Sequence, residues 1–570
     1  MWLLTNKNLN KRVGFELIRS KNFCFLTDQS LITTGGNNSK WLIDGYILPR
    51  LSVINEVELK SNSEILNSLV SKYEDDFINH VKGIFTIICI NDTGFKLISD
   101  HLGIKKFFIY NRNSKFIISN DLQAITSIVE VSPSFDHMAV YALTYHFIDG
   151  LTIFNEIRYN DSAEIINYRN KRLYFSKHWN PQELLQIHKG IISPEELANH
   201  LVGNIKSCLS FLKSQSVSLS LTGGVDSRLL FSILIDQDIR LHTYTYGNPE
   251  SFDCALSKII ADDFNVPHSI YDIRFTKETF KIAADHSIRS GQSLCSLHRA
   301  HRLKAIELEA SFGEAMFLGT MGGEFIKIPS PDDYILSNFV YEFSRNHNDD
   351  LLIKYLKRKA INISRINIEK LMDFFMKQNW CKNPELVDFY GLIEIAARLH
   401  HAQNDIHYSN YFKYIFTPYI DIDYLIALFQ TKYYFLQKKK YHTSFSRRLN
   451  NLSFASEIQS ILNKQLTEYL YSSGFLINEY RFNKVYAAIR SRIRKKVREN
   501  IPNFPLSDFI KDFSIESLQN IKGDESVVND VFDIDYLLNI LNTNKIDATE
   551  SSWLKFTTPV QMDLTMRYFS

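Results

Sequence analysis

A short run near the middle of the chain combines residue types that bind a phosphate. From Ser218 to Leu230 it reads SLSLTGGVDSRLL: alternating apolar and small polar residues, two glycines and a helix-like run. Glycines allow a phosphate to approach backbone N–H groups at the positive end of a helix dipole. Asp226 would repel a bare phosphate, but it can share a Mg²⁺ with phosphate oxygens. The run therefore predicts a metal-assisted phosphate site, with a simple turn capped by Asp226 as the alternative.

Two hydroxyls support the phosphate interpretation. Thr222 and Ser227 flank Gly223 and Gly224, and each hydroxyl can donate a hydrogen bond to the same phosphate. The loop differs from a Walker A loop, which needs a Lys-Ser or Lys-Thr pair after its last glycine. A structural turn has no need for two hydroxyls and a carboxylate within so few residues. The phosphate site is therefore the preferred interpretation.

The elements around the loop must place it at the edge of a sheet. A helical segment, PEELANHLVGNIKSCLSFL, precedes the strand SVSLSL, and the strands IRLHTYTYG and HSIYDI alternate with the helical segment DCALSKIIADDF. This alternation predicts a parallel sheet with helices on both faces.

Short strands predict stacked antiparallel sheets before about residue 185, and helical patterns follow about residue 335. We expect one domain over residues 1–188 and a second over residues 189–570.

The composition narrows the class of protein. Hydrophobic residues make up 45% and charged residues 22% of the chain, which is the balance of a globular protein. At 570 residues the chain is too long for one ordinary hydrophobic core. A net charge of +2 provides no overall positive electrostatic field that would attract nucleic acid. No segment approaches the roughly 18 apolar residues of a membrane span, and the start MWLLTNKNLNKR lacks the apolar run of a secretory signal. We expect a cytoplasmic protein that does not bind nucleic acid.

The cysteines are scattered singly, without any CxxC pair, which favours reduced thiols over a disulfide framework or a zinc site. They are Cys24, Cys89, Cys208, Cys254, Cys295 and Cys381.

Several motifs together resemble one known family. The loop at 222–227 resembles the pyrophosphate loop SGGxDS, with Thr in place of the first Ser. The segments TYTYGNPESFDCALSKIIADDFNVPH, FLGTMGGEF and FTPYIDIDYLIALF resemble further elements of the asparagine synthetase family, which includes β-lactam synthetases and lasso-peptide cyclases. The resemblance implies an α/β protein, with an N-terminal Ntn-hydrolase-like αββα sandwich and a C-terminal pyrophosphate-loop ATPase domain that ends in a helical extension. It also implies that ATP is cleaved to AMP and pyrophosphate.

The second glycine loop carries an implied metal ligand. In FLGTMGGEF, Gly322 and Gly323 form the turn, and Glu324 stands where the family usually has an Asp that binds Mg²⁺. The resemblance therefore implies that Asp226 and Glu324 share the Mg²⁺. The residue before the glycines is Glu in asparagine synthetases and Tyr in β-lactam synthetases, whereas here it is Met321, which cannot accept a proton.

Other positions carry implied roles with less support from the pattern. Tyr246 ends the strand that lies near the adenine in the family, and Pro418 and Asp421 match its PFLD element. Lys464 falls where family members place a Lys that stabilises the phosphates; a solvated surface lysine is the alternative. The general base is unassigned, and its unranked candidates are His298, His301, His400, His401 and Tyr246.

The N-terminal part resembles a class II glutaminase domain that has lost its nucleophile. HVKGIFTIICINDTGFKLISDHLGIKKFFIY matches the family stretch at Gly83, Phe85, Asp92, Asp100, Gly103 and Lys105. An active glutaminase of this class needs Cys as its second residue, with the free α-amine as its base. Trp2 stands there instead, and Cys24 lies inside an apolar run and has no free amine. We expect a degenerate domain that serves as a scaffold or a substrate-docking surface.

The missing thiol shifts the expected reaction. Family members without it use an amine already present on their substrate, and a tethered amine attacks at an effective concentration on the order of 10⁵ M. We expect an ATP-dependent ligase that adenylates a substrate carboxylate and couples it to such an amine, as in lasso-type peptide macrocyclisation. That version implies a precursor peptide or a leader-binding partner. The alternatives are amidation of a sugar acid or small acid with free ammonia, and a non-catalytic scaffold.

One segment is strongly basic. In VYAAIRSRIRKKVREN, apolar residues recur every four positions, and basic residues fill the remaining faces. The pattern predicts an amphipathic helix that docks on the core through its apolar stripe. The alternative is a contact surface, over residues 485–498, for an acidic peptide, a polyanionic glycan or an anionic membrane. The apolar stripe consists of Val485, Ile489, Ile493 and Val497.

Overall fold

The structure of the protein is a computed structural model. It describes residues 1–7, 13–20, 22–33, 39–57, 61–273, 276–294, 296–297, 300–326, 337–401, 411–432, 445–471, 474–497, 506–543 and 550–569.

Two antiparallel sheets form the first part of the fold. One runs in the order β10-β8-β9-β1-β3-β2 and the other in the order β12-β11-β7-β6-β5-β4. The strands are β1 (Trp2–Thr5), β2 (Glu16–Arg19), β3 (Cys24–Thr27), β4 (Ile32–Thr33), β5 (Lys40–Pro49), β6 (Val81–Ile90), β7 (Phe95–Ser99), β8 (Phe108–Arg112), β9 (Lys115–Ser119), β10 (Ile157–Tyr159), β11 (Glu164–Arg169) and β12 (Arg172–Lys177).

The two sheets stack face to face because apolar residues alternate along their strands. In β1, Trp2 and Leu4 enter the core between the sheets, whereas Leu3 points to the outer layer. In β6, Ile88 enters the inner core and Ile87 the outer one. Helices cover the outer faces, so the layers are helix, sheet, sheet and helix, as the family resemblance implies. These covering helices are Asn62–Tyr73 on β5 and Leu122–Thr126 on β8 and β9.

A parallel sheet forms the second part, in the order β15-β14-β13-β16-β17. The predicted parallel sheet with helices is confirmed. Its last strand, β17, comes from a segment that the sequence pattern did not mark as a strand. The strands are β13 (Ser216–Ser220), β14 (Arg240–Tyr246), β15 (His268–Tyr271), β16 (Ala315–Phe317) and β17 (Tyr414–Phe416). The helices packed around them are Pro194–Ser210, Val225–Leu234, Phe252–Asp263, Lys277–Ser290, Arg302–Glu309, Gly322–Ile326 and Ile422–Gln430.

Helices make up most of the remaining described chain. None of the described helices is long and apolar enough to cross a membrane. A π-helix spans Gly391–His401. The α-helices are Phe135–Thr144, Glu183–Gln186, Asn338–Phe343, Asp349–Arg358, Ile368–Met376, Asn379–Lys382, Val387–Tyr390, Phe445–Leu462, Glu479–Phe482, Lys484–Val497, Leu506–Gly523, Val528–Val531, Ile534–Thr543 and Glu550–Phe569. Turns of 3₁₀-helix lie at Leu51–Glu56, Glu74–His80, Ile363–Arg365, Pro384–Leu386, Pro418–Ile420 and Gln465–Glu468.

Buried charges join the antiparallel and parallel parts. Lys82 on β6 is fully buried, and its ammonium lies 3.5 Å from the Asp421 carboxylate and 3.4 Å from the Asp423 carboxylate. Arg50 donates to Asp423 at 2.7 Å, and Lys82 also donates to Asn204 at 2.5 Å. A buried charge is tolerated only when it is paired, so this cluster holds the two parts in one register.

The basic helix Lys484–Val497 is oriented opposite to the prediction. Ala487 and Ala488 are buried, whereas Val485, Ile489 and Ile493 are exposed. The prediction that the apolar stripe docks on the core is therefore wrong for these three residues; the side chain of Val497 lies outside the described residues. The small alanine side chains allow the helix to lie close against Phe445–Leu462, and this close contact selects the alanine face for burial.

Candidate functional site

The phosphate-loop candidate lies where the parallel sheet reverses its strand order. In the sheet, β13 has β14 as its neighbour on one side and β16 on the other. Open α/β sheets bind ligands at such a point, at the carboxyl ends of their strands. The helix Val225–Leu234 starts immediately after the loop. Its N-cap is Gly224, without a side-chain hydrogen bond, and Asp226 lies in the first turn. The simple alternative, a turn capped by the Asp226 side chain, is therefore wrong.

The loop is held by its own side chains and by a neighbouring carboxylate. The Thr222 N–H donates to Ser227 Oγ at 3.0 Å, and the Gly224 N–H donates to Thr222 Oγ1 at 3.1 Å. The Gly223 N–H donates to Asp253 Oδ1 at 3.1 Å. A phosphate that uses the Gly223 N–H must displace this carboxylate. The two hydroxyls thus shape the loop, which is a role that the sequence pattern did not predict.

A cavity of about 170 Å³ opens beside this loop. Five predicted site residues line it: Thr222, Asp226, Ser227, Tyr246 and Glu324. These residues come from the ends of β13 and β14 and from the second glycine loop, so the fold brings together side chains about a hundred residues apart in the sequence. Both predicted Mg²⁺ ligands face the same space.

The second loop packs directly on the first. β16 ends at Phe317, and the chain turns at Met321, whose φ of +70° lies in the left-handed region that favours glycine. A Cβ on Gly323 would lie 2.8 Å from both carboxylate oxygens of Asp226. A Cβ on Gly322 would lie 2.6 Å from the ring of Tyr419. A Cβ at position 322 would therefore clash with a buried ring, and one at position 323 would push the Asp226 carboxylate aside. The strained backbone of Met321 is typical of a functional turn.

Tyr419 connects the two loops and was missed by the sequence reasoning. It is fully buried, and its hydroxyl donates to the backbone carbonyl of Asp226 at 2.8 Å. The FTPYID element indicated Pro418 and Asp421 on either side of it. The structure places Asp421 outside this cavity: it caps the helix Ile422–Gln430 and faces Lys82.

The cavity also contains a cation that the motifs did not indicate. Arg302 lines the cavity and donates from Nε to the Tyr246 hydroxyl at 3.0 Å. This guanidinium provides the positive charge that anionic phosphates need beside two carboxylates. His301 is buried, and its ring centroid lies 6.1 Å from that of Tyr246. His298 and the side chains of His400 and His401 lie outside the described residues.

The structure does not bring Lys464 to the cavity. Lys464 is exposed, and its carbonyl accepts bonds from Thr467 at the start of the turn Gln465–Glu468. The chain beyond this turn reaches the phosphate loop through Arg228 instead. This fully buried guanidinium donates to the Leu470 carbonyl at 2.5 Å and to the Gly223 carbonyl at 3.4 Å.

The donor set fits a metal only together with a ligand. Among the residues that the structure describes, no group of three or more His, Cys, Asp or Glu side chains could hold a metal ion. Asp226 and Glu324 supply carboxylates from two elements, and Mg²⁺ typically binds one or two carboxylates, water and substrate phosphates. The residues therefore fit a Mg²⁺ that a nucleotide brings with it.

The corner of the antiparallel sheets that contains Trp2 is closed. The Trp2 side chain is fully buried, and its indole N–H donates to Asp44 at 3.0 Å. Lys105 lies 3.0 Å from the same carboxylate, and Asn120 donates to it at 2.8 Å. Burial acts to raise the pKa of Asp44, but Lys105 and these hydrogen bonds outweigh it and lower the pKa. Cys24 is buried within β3, between two peptide bonds.

Residues 51–179 match the family model of the glutamine amidotransferase domain. The chain is 22% identical over 213 residues to glutamine-hydrolysing asparagine synthetase 3 of Bacillus subtilis, a match that covers 35% of this chain and 33% of that protein. It is 24% identical over 232 residues to a protein named as glutamine-hydrolysing asparagine synthetase 2 of Methanocaldococcus jannaschii, covering 38% of this chain and 44% of that protein. The matches thus span less than half the length of these relatives.

Among solved structures, glutamine phosphoribosylpyrophosphate amidotransferase from B. subtilis is similar at 10% identity, covering 44% of this chain and 51% of that chain. Its TM-score of 0.20 is too low to carry a structural argument. By these comparisons the chain is similar in sequence to asparagine synthetases, and residues 51–179 are similar to glutamine amidotransferase domains.

Proposed function

We propose that this asparagine synthetase-like chain is an ATP-dependent ligase that forms an amide. A substrate carboxylate attacks the α-phosphorus of ATP and pyrophosphate leaves; an amine then attacks the acyl carbon and AMP leaves. The observation that carries the proposal is the convergence of Asp226, Glu324 and Arg302 with the glycine loop around one cavity. That cavity lies at the carboxyl ends of parallel strands, where such sheets bind ligands.

The charged groups in the cavity each have a task in this reaction. Asp226 and Glu324 would hold the metal, and Mg²⁺ would supply charge neutralisation on the phosphates. Arg302 faces the same space and stabilises negative charge that develops on the leaving pyrophosphate. Tyr246 accepts a hydrogen bond from Arg302 and so orients the guanidinium. Met321 cannot take a proton from the amine, so the base belongs to another residue or to the substrate.

We further propose that the amine does not come from glutamine in this chain. The Trp2 corner is filled by an indole and an ion pair. Burial raises the pKa of each described thiol for which a shift is resolved, to about 11 for Cys89 and about 12 for Cys381. The same cause raises the pKa of Cys208 and Cys254. A glutaminase thiol needs the opposite shift, since the thiolate is the nucleophile.

An amine carried by the substrate itself is the source that fits this chemistry best, and peptide macrocyclisation is its specific form. A tethered amine needs no ammonia supply, because closure of the ring gains from high effective concentration. Amidation of a sugar acid or small acid with free ammonia is the second form. It differs in one observable: its product rises with added ammonium salt.

Nucleotide product analysis tests the proposal. The protein, Mg²⁺ and ATP are incubated with a small-molecule and peptide extract of the host, and AMP and pyrophosphate are measured by mass spectrometry. Asp226→Asn removes a metal ligand, and Asp236→Asn, an exposed carboxylate just beyond the same helix, is the matched control. We expect AMP from the wild type and the control, and none above background from Asp226→Asn.

Other results would reject the proposal in different ways. ADP as the product would show that the loop holds the nucleotide for a different bond cleavage. Equal AMP from both variants would remove Asp226 from the site. No turnover together with no Mg-ATP binding by calorimetry would favour the non-catalytic scaffold.

A further inference from the structure

The helix Lys484–Val497 presents a large apolar face to solvent. Val485 is 57% exposed, Tyr486 52%, Ile489 53% and Ile493 57%. The spacing of four residues puts Val485, Ile489 and Ile493 on one side of the helix, along roughly 12 Å of its axis. Scattered exposed apolar residues are ordinary, but four large ones on one short helix mark an interaction site.

The same helix is strongly basic. Its sequence, KVYAAIRSRIRKKV, has six Lys or Arg residues and no Asp or Glu. Glu479, on the preceding helix Glu479–Phe482, pairs with Arg494 at 2.7 Å and with Arg490 at 3.1 Å. These pairs fix the rotation of the helix, so that Ala487 and Ala488 face inward. Arg492 is exposed beside Ile493. With six basic residues and no acidic residue of its own, the helix carries positive charge next to its apolar face.

We infer that this helix binds an anionic phospholipid bilayer, with its axis parallel to the membrane surface. An interfacial helix is polar in its overall composition but has one apolar face, which Lys and Arg residues flank. The apolar side chains enter the acyl boundary, and the basic side chains remain among the anionic headgroups. The Arg490 guanidinium already lies 5.5 Å from the Tyr486 ring, and tyrosine is enriched at this depth of a bilayer.

A bilayer fits this surface better than a peptide or a second copy of the chain. A helical peptide docks in an apolar groove, whereas side chains that are more than half exposed stand out from the protein and form no groove. A second copy would place two basic helices against each other, and like charges oppose that contact. A flat anionic surface matches both the convex apolar face and the charge.

Co-sedimentation with vesicles tests the inference. One set contains only phosphatidylcholine, and the other contains equal parts of phosphatidylcholine and phosphatidylglycerol. We expect the full chain to bind the anionic vesicles and not the neutral ones. Ile489→Ser combined with Ile493→Ser should lower the partition coefficient at least tenfold, because each apolar side chain contributes transfer free energy. Ile282→Ser, at an isoleucine 71% exposed on the helix Lys277–Ser290, is the matched control and should bind like the wild type.

Charge reversal provides the second arm. Arg490→Glu with Arg492→Glu should lower the partition coefficient by more than tenfold, since each basic residue near an anionic surface contributes a roughly fivefold effect. Lys354→Glu with Lys357→Glu, on the exposed side of Asp349–Arg358, is the matched control. Circular dichroism confirms that each variant is folded.

Three results would overturn the inference. The first is no binding to anionic vesicles, and the second is binding that survives both double variants. The third is a concentration-dependent dimer in ultracentrifugation that Ile489→Ser dissociates, which would assign the face to a second copy. AMP formation is measured separately, so that failure of the ligase proposal and failure of this one remain distinguishable.

Discussion

The close contact between Gly323 and Asp226 makes Gly323→Ala an informative substitution. The new Cβ would lie 2.8 Å from both carboxylate oxygens, and an ordinary contact needs 3.4 Å, so the carboxylate must move by about 0.6 Å. Disturbing the surroundings of a metal ligand typically costs roughly 10–100-fold in metal affinity, so we expect about a tenfold effect on Mg-ATP binding. Alanine is the better helix former by roughly 1 kcal/mol, so the stability of the fold should not fall.

Calorimetric titration with Mg-ATP measures this effect without a known carboxylate substrate. We expect Gly323→Ala to weaken Mg-ATP binding about tenfold while the melting temperature stays within a few degrees of wild type. Gly523→Ala is the matched control, since nothing lies within 4 Å of a Cβ at that helix end. Gly322→Ala should behave differently, because its Cβ meets the buried Tyr419 ring at 2.6 Å and overpacking destabilises by roughly 1–3 kcal/mol. Unchanged Mg-ATP affinity in Gly323→Ala would refute the assignment of Asp226 as a metal ligand.

Two further substitutions test the buried charges. Lys82→Met leaves Asp421 and Asp423 without the ammonium between them, so it should lower the free energy of unfolding, measured by urea denaturation, by roughly 3–5 kcal/mol. The control Lys96→Met, at a more exposed ion pair, should lower it by no more than about 1 kcal/mol. Equal losses would contradict the assigned role of Lys82. Burial raises the pKa of Glu394 from its usual 4.5 to about 7. As the pH rises through that interval, ionisation of Glu394 should therefore destabilise the wild type relative to Glu394→Gln. A stability difference between the two proteins that does not change with pH would contradict this.

The sequence was sufficient for the parts of the site that depend on local chemistry. The chemistry of the glycine loop predicts Thr222, Asp226 and Ser227, the family resemblance implies Tyr246 and Glu324, and all five line one cavity. Each lies at the end of a strand or the start of a helix, where local patterns are most informative. Chain order alone then brings them together, because parallel strands present their carboxyl ends at one edge.

Contacts from distant segments were not predictable in the same way. Asp253 binds the Gly223 N–H, Arg302 enters the cavity and Tyr419 holds the Asp226 carbonyl. Each of these residues is an ordinary member of a helix or turn in the sequence, and its role depends on the packing of that element. Lys464 shows the converse, since the family resemblance implied a position at the phosphates and the fold leaves it exposed.

The basic helix shows a limit of periodicity as a guide. Residues 485, 489 and 493 indicated correctly that the segment is helical, but they did not determine which face is buried. Burial depends on the partner as well as on hydrophobicity. Ala487 and Ala488 permit a closer approach to Phe445–Leu462 than isoleucine side chains would, and Glu479 attracts the arginines beside them.

The contacts of Lys82 give the antiparallel domain a physical role that does not depend on glutamine. Lys82 on β6 binds Asp421 and Asp423, which lie at the start of the helix Ile422–Gln430. Two residues before Asp421, Tyr419 donates to the backbone of Asp226. A continuous set of buried contacts therefore leads from the antiparallel sheet to the proposed metal ligand. Because a buried ammonium must keep its partners, loss of this domain would release the segment that positions the proposed phosphate loop. The domain can thus be required for the proposed ligase activity even when its own corner is closed by Trp2.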